Sequence, residues 1–243
     1  MELYIIRHGQ STNNALQDQS QRTHDPSLTP LGFQQADALA SFLYNAPRRD
    51  PWIDPATGYT VSNGERGVRF THLYCSPMRR ALQTALPIAQ ALEIQPQVWS
   101  AIHEHGGIYL ETEIGIVGYP GMTRAEIEEA FPGFSLPEDI THEGWWNPAN
   151  GQESLAGAYA RAIHVAADLR RMARNEPDAR VALITHGTFI DGLIKALLSQ
   201  LPARSMFYLH YNTAVTRIDF HAEDRLLLHF VNRVDHLSAD LIS

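Results

Sequence analysis

Three short stretches of the chain place histidine or arginine beside small polar residues directly after an apolar run. Arg7-His8-Gly9-Gln10-Ser11-Thr12 follows Leu3-Tyr4-Ile5-Ile6, Ser76-Pro77-Met78-Arg79-Arg80 follows His72-Leu73-Tyr74-Cys75, and Thr185-His186-Gly187-Thr188 follows Val181-Ala182-Leu183-Ile184. An arginine fork matches the oxygens of a phosphate. A neutral imidazole can attack phosphorus and hold the phosphoryl group covalently, and a second imidazole or an arginine can stabilise the charge on the group in transfer. Helix N-termini after Gly9 or Gly187 add backbone N–H donors and a dipole that favours an anion. A carboxylic acid must then protonate the leaving alkoxide. Glu104 is the candidate, with Glu111 and Glu113 as rivals. The scheme requires no metal and no cofactor.

Residues so far apart meet only if the elements bring them together. Leu3–Ile6, His72–Cys75, Gln95–Trp99 and Arg180–Thr185 read as short strands. Thr29 as N-cap with Pro30 at N1 opens a helix that ends near Asn45, and Ser76-Pro77 is a similar pair opening a helix through Leu92. Further helices are expected over Glu153–Asn175 and Gly187–Leu198, and a short one over Thr123–Phe131, where Thr123 and Glu126 form a capping box. Ala214–Phe220 and Arg225–Val231 read as a terminal hairpin. Strand–helix alternation of this kind predicts an α/β fold with a mainly parallel sheet, in which ligands bind beyond the carboxyl ends of the strands. One domain is expected over residues 1–243, with insertions near 46–69 and 106–150.

Composition narrows the function classes. The chain has 243 residues, 44% of them hydrophobic and 19% charged, enough apolar material for a full core. Its formal net charge of −8 argues against nucleic acid or an anionic membrane as partner. A single cysteine excludes an internal disulfide and a cysteine-based zinc site. No apolar run is long enough for a leader or a membrane span, so a cytoplasmic location is expected. Twelve histidines stand out in such a chain. His103-x-His105 could be a metal pair or two rim side chains, and His24-Asp25 could touch substrate or shape a turn. Trp145-Trp146 could form a specificity wall or pack the insertion, while His164, His210, His221, His229 and His236 read as structural or surface residues.

Arg7-His8-Gly9-Gln10-Ser11-Thr12-Asn13-Asn14 resembles the Arg-His-Gly-x-Ser-x-x-Asn motif of the histidine phosphatase superfamily, the phosphoglycerate mutase-like proteins. Four further segments resemble that family's motifs in the family's order: Leu28–Ala36, Ser76–Ala85, Glu153-Ser154-Leu155 with Arg161, and Thr185-His186-Gly187. The Glu-Ser segment departs from the family pattern in that Gln152 separates Gly151 from Glu153. The resemblance implies a three-layer α/β/α sandwich. It also implies that His8 is the nucleophile, that Arg7, Arg80 and His186 form the phosphate pocket, and that Glu104 is the general acid and then the base for water. Ser11, Asn14, Gly187 and Thr188 would contribute to substrate binding.

The family divides into mutases and phosphatases. The mutase branch follows its acid with a basic run that binds a bisphosphoglycerate, whereas residues 107–150 here hold one basic side chain besides histidine, Arg124. The expectation is therefore a phosphatase acting on a small phosphorylated substrate. A mutase-like isomerase and a catalytically silent phospho-ligand binding module are the alternatives.

Overall fold

The structure, a computed structural model, describes residues 1–45 and 67–243. Most of the expected insertion at 46–69 lies outside the described residues. Six strands form the central sheet: β1 (Glu2–Arg7), β2 (His72–Cys75), β3 (Pro96–Val98), β6 (Arg180–Thr185), β7 (Val215–Phe220) and β8 (Leu226–Arg233), in the order β3-β2-β6-β1-β7-β8. The first four in that order run parallel to one another, and β7 and β8 extend the sheet antiparallel. This is the mainly parallel α/β sheet the alternation predicts. The antiparallel edge is the expected terminal hairpin.

The adjacent parallel strands β1 and β6 are apolar at every central position because both faces are covered. Tyr4, Ile6, Ala182 and Ile184 point to one face and pack with Leu39, Leu43, Leu82 and Ile88. Those four come from α2 (Pro30–Asn45) and α3 (Arg79–Leu92). Leu3, Ile5, Val181 and Leu183 alternate to the other face and pack with Val165, Leu169, Ile190 and Leu193. These side chains belong to α5 (Leu155–Asn175) and α6 (Gly187–Leu197). Helices on both faces of one sheet give the three layers.

Most element boundaries match the sequence reading, with two departures. The helix expected to open at Ser76-Pro77 starts at Arg79, with Met78 at the N-cap. The Ser76 hydroxyl is drawn to other partners, and the Asp25 carboxylate accepts the Arg79 N–H instead at 3.1 and 3.3 Å. Second, the irregular stretch after residue 103 holds a small hairpin, β4 (Tyr109–Thr112) and β5 (Gly115–Gly118), as well as the expected capped helix α4 (Arg124–Ala130). Trp145 and Trp146 pack beneath this region: both rings lie 5.3 Å from the His103 ring, and Trp146 Nε1 donates to the Gly151 carbonyl. None of the helices among the described residues is long and apolar enough to cross a membrane.

Candidate active site

The sheet order sets β2, β6 and β1 side by side, with Arg7 in register with Thr185 and Cys75 with Ile184. The residues that follow, His8, His186 and Ser76, therefore leave the same end of three adjacent strands. His8 N–H donates to the Thr185 carbonyl at 2.9 Å, continuing the ladder one residue past the strand. The chain then turns sharply at Gly9 against the start of α2. A Cβ on Gly9 would stand 2.5 Å from the Gly32 oxygen, and one on Gly32 would stand 2.1 Å from the Gln10 oxygen. Only two glycines allow this approach. A short helix, α1 (Thr12–Ala15), follows and is closed by a Ser11–Asn14 capping box.

The His8 ring is buried, and its Nδ1 lies 2.6 Å from the Gly9 carbonyl. A carbonyl can only accept, so Nδ1 carries the proton and Nε2 keeps its lone pair. The Arg80 Nε–H donates to that lone pair at 3.1 Å. Burial, then the Arg80 and Arg7 charges, hold the imidazole well below its usual pKa, so it stays neutral at neutral pH. The His186 ring lies 5.0 Å from that of His8 and is held neutral by the same causes, burial first and then Arg80. Its Nε2 meets Ser76 Oγ at 2.8 Å, while its Nδ1 is buried with no protein partner.

The two inner arginines are anchored differently. Arg7 donates through one terminal nitrogen to the His210 carbonyl at 2.6 Å, and its Nε is buried with no protein partner. Arg80 is buried on α3 with Asp25 at 3.8 Å, whereas Arg79 beside it is exposed. Burial pushes both Arg7 and Arg80 below the ordinary arginine value, and the Glu104 charge opposes that shift at both. Glu104 is thus within electrostatic reach of the two guanidiniums. Its carboxylate accepts N–H donors from His105 at 2.8 Å, Phe189 at 3.0 Å and Thr188 at 3.2 Å, so it caps α6 from a distant loop. The Thr188 N–H, expected at a ligand, is taken by this carboxylate. Glu111 and Glu113 sit farther out, on the exposed β4–β5 hairpin.

These groups open into a cleft of about 730 Å³. Arg7, His8, Arg80 and Glu104 line it, together with Ser11, Asn14, Tyr109, Glu111 and Glu113. His24 and His105 line the rim, and His24 stacks on Tyr119 with ring centroids 4.3 Å apart. Gly187 stands beside the inner arginine: a Cβ there would meet Arg7 Nε at 3.6 Å. His103 is buried and does not line the cleft beside His105. Its Nδ1 donates to the Ser100 carbonyl at 2.6 Å, and burial pushes its pKa down to about 4. Among the described residues no group of three or more histidine, cysteine, aspartate or glutamate side chains could hold a metal ion.

Further side chains support the site from outside it. Asn212 Nδ2 donates to the His8 carbonyl at 2.9 Å, and the Thr213 N–H is shared by the Arg7 and His8 carbonyls. Thr213 adopts φ 57°, a costly conformation for a β-branched residue, to point that N–H at them. Thr84 Oγ1 accepts the Gly9 N–H at 3.0 Å, and Gln35 Oε1 accepts that of Gln10 at 2.8 Å. Thr84 and Gln35 lie inside recognisable motifs, whereas the 210–213 segment offers nothing beyond ordinary loop residues before a strand. Arg161 grips Glu153 through two hydrogen bonds, of 2.9 and 2.5 Å, and donates to the carbonyls of Ala101 and His103. That pair, which the sequence places in the Glu-Ser segment, ties α5 to the loop that carries Glu104.

The profile of the histidine phosphatase superfamily (branch 1) matches residues 3–53 and 61–233, and the chain belongs to this superfamily. It is similar to the glucosyl-3-phosphoglycerate phosphatase of Mycobacterium tuberculosis, 29% identical over 203 residues covering 81% of this chain and 74% of that one. A solved structure of the mycobacterial glucosyl-3-phosphoglycerate phosphatase complexed with VO3 superposes with a TM-score of 0.57 at 24% identity, covering 95% of this chain and 98% of that one. A phosphoserine phosphatase from Entamoeba histolytica in complex with 3-phosphoglyceric acid gives 0.59 at 21% identity, covering 98% and 99%. At these identities the two structures speak for the fold alone. That fold is the three-layer, phosphoglycerate mutase-like sandwich.

Proposed function

We propose that the chain hydrolyses small phosphomonoesters through a phosphohistidine on His8. The observation that carries this reading is a pair of buried nitrogens, Arg7 Nε and His186 Nδ1, that have no protein partner and stand beside a neutral imidazole. Buried polar atoms without partners are costly, and a phosphoryl group satisfies both, the Nδ1 tautomer of His186 being the one that donates to it. The Nε2 lone pair of His8 attacks phosphorus while the bond to the leaving oxygen breaks and Glu104 gives that oxygen its proton. Arg7, Arg80 and His186 hold the three phosphoryl oxygens, Arg80 turning its Nε–H from His8 to the substrate. Glu104, now ionised, takes a proton from water, the water oxygen attacks phosphorus, and the electron pair of the P–N bond returns to Nε2. Ser11 and Asn14 border the cleft where substrate enters. The exposed Glu111 and Glu113 also line the cleft, where their charges repel a second phosphate and favour hydrolysis over transfer to a bisphosphate.

The test uses an aryl and an alkyl phosphate. His8→Ala abolishes hydrolysis of both while leaving the circular dichroism spectrum and melting temperature close to wild type. Glu104→Gln depresses hydrolysis of the alkyl phosphate far more than that of the aryl phosphate, whose leaving group needs no proton. Full activity in His8→Ala sinks the mechanism, and equal losses on the two esters in Glu104→Gln remove the acid role.

A further inference from the structure

Three side chains far apart in the sequence, Gln35, Ser243 and Asn212, form one hydrogen-bonded chain between the backbone on either side of Gly9. The Gln10 N–H donates to Gln35 Oε1 at 2.8 Å, and Gln35 Nε2 donates to Ser243 Oγ at 2.8 Å. The Ser243 hydroxyl donates to Asn212 Oδ1 at 3.3 Å, and Asn212 Nδ2 donates to the His8 carbonyl at 2.9 Å. Both amide side chains are buried. Every donor points the same way, from Gln10 towards His8, and bonds in series polarise one another. The two ends fix that direction, since an N–H can only donate and a carbonyl can only accept. The link between the two amides must therefore accept on one side and donate on the other, which a hydroxyl does. Two further bonds hold the link in place. The Asn212 N–H donates to the Ser243 main-chain oxygen at 2.9 Å, and Gln35 Nε2 also donates to the Leu241 carbonyl at 2.7 Å.

Both ends of the chain belong to the peptide planes that flank Gly9. The Gln10 N–H lies in one rigid plane with the Gly9 carbonyl, and the His8 carbonyl lies in one with the Gly9 N–H. Gly9 has no side chain to restrict rotation of either plane. Yet the Gly9 carbonyl is the acceptor for His8 Nδ1, so its direction sets the direction of the imidazole. We infer that Ser243 is a positioning residue: by holding the Gln35 and Asn212 amides it fixes the Gly9 carbonyl, and through it the ring of His8. This rests on the phosphatase reading, in which His8 is the nucleophile. Ser243 does not line the cleft, so its effect on rate passes through His8 rather than through contact with substrate.

The experiment compares Ser243→Thr, which keeps the hydroxyl, with Ser243→Val, which puts a methyl in its place. The bond from Gln35 to the Leu241 carbonyl survives in both, so the fold is retained. The substrate is an aryl phosphate, whose leaving group needs no proton, so the rate reports attack by His8. Ser243→Val lowers kcat about fivefold, the effect of about one hydrogen bond, with KM, inhibition by inorganic phosphate and melting temperature nearly unchanged. Ser243→Thr stays within about twofold of wild type in kcat. The second readout is the NMR signal of the His8 Nδ1 proton in isotope-labelled protein, assigned by its absence in His8→Ala. It is resolved in wild type and Ser243→Thr, and it broadens or disappears in Ser243→Val. An unchanged signal or an unchanged kcat in Ser243→Val overturns the inference, as does a loss that Ser243→Thr shares in full. Absence of hydrolysis in the wild type would count against the phosphatase reading, whereas the NMR signal decides the role of Ser243 without turnover.

Discussion

At the scale of single residues, the site is a set of proton assignments. His8 is fixed by an acceptor that leaves no choice, since the Gly9 carbonyl demands a proton on Nδ1. His186 is fixed by Ser76, a hydroxyl that can donate or accept. Burial keeps His186 neutral with a single ring proton, and when Ser76, which accepts the Met78 N–H, donates its hydroxyl to Nε2, that proton sits on Nδ1, the nitrogen without a protein partner. Ser76→Ala removes that bias. The expected result is a fall of about tenfold in kcat/KM for an aryl phosphate and weaker inhibition by inorganic phosphate, equivalent to roughly 1.4 kcal/mol of transition-state binding. Unchanged phosphate inhibition in Ser76→Ala would mean that the tautomer is set elsewhere. Cys75, next to Ser76, has no such role: burial pushes its thiol far up, so it remains protonated and inert.

At the scale of elements, legibility followed from how local each signal is. Helix starts were readable where a cap sits in the same segment: Gly32 N–H donates to Thr29 Oγ1 at 3.0 Å and Thr123 closes a full capping box, as their positions before Pro30 and three residues before Glu126 suggest. The start of α3 was misplaced because its cap, Asp25, arrives from more than fifty residues away and Ser76 is diverted to His186. The β4–β5 hairpin was not foreseen because it is largely exposed on both faces, so no apolar alternation marks it. The convergence of His8, Arg7, Arg80 and His186 at one end of the sheet could be anticipated from the segments that follow the strands, while the supports Asn212 and Thr213 could not, since they contact backbone groups in ways that no residue type announces. The clamp between Arg161 and Glu153 belongs to this scale as well. Arg161→Lys forfeits the bidentate pair and loosens the loop from His103 to Gly107. Expected is a drop of about tenfold in kcat with KM nearly unchanged, larger for an alkyl than an aryl phosphate because Glu104 is the group displaced. A loss confined to melting temperature would make the clamp merely structural.

At the scale of the whole molecule, the many histidines become a statement about stability. His8, His103, His186, His210 and His236 all have pKa values depressed first of all by burial, to about 4 for His103 and His236. In the unfolded chain each returns to an ordinary value near 6.5. Between these limits the unfolded state binds more protons than the folded state, so stability rises with pH through this window and is lost as pH falls from about 6.5 towards 4. Above the unfolded value all five are neutral in both states and contribute no slope. His103 alone, buried under Trp145 and Trp146, accounts for roughly 3 kcal/mol across its range. The acidic net charge of −8 does not produce this trend, because it falls towards zero as pH drops and so relieves self-repulsion. The expected outcome is a melting temperature that is flat from pH 7 to 8 and declines steadily below pH 6.5, with net proton uptake on unfolding. Replacing His236, which touches no part of the cleft and bonds Thr213 Oγ1 at 3.0 Å, by Gln should flatten the decline while leaving its position above pH 7 within a few degrees. A slope identical in His236→Gln and wild type would show that this histidine is not held neutral by burial.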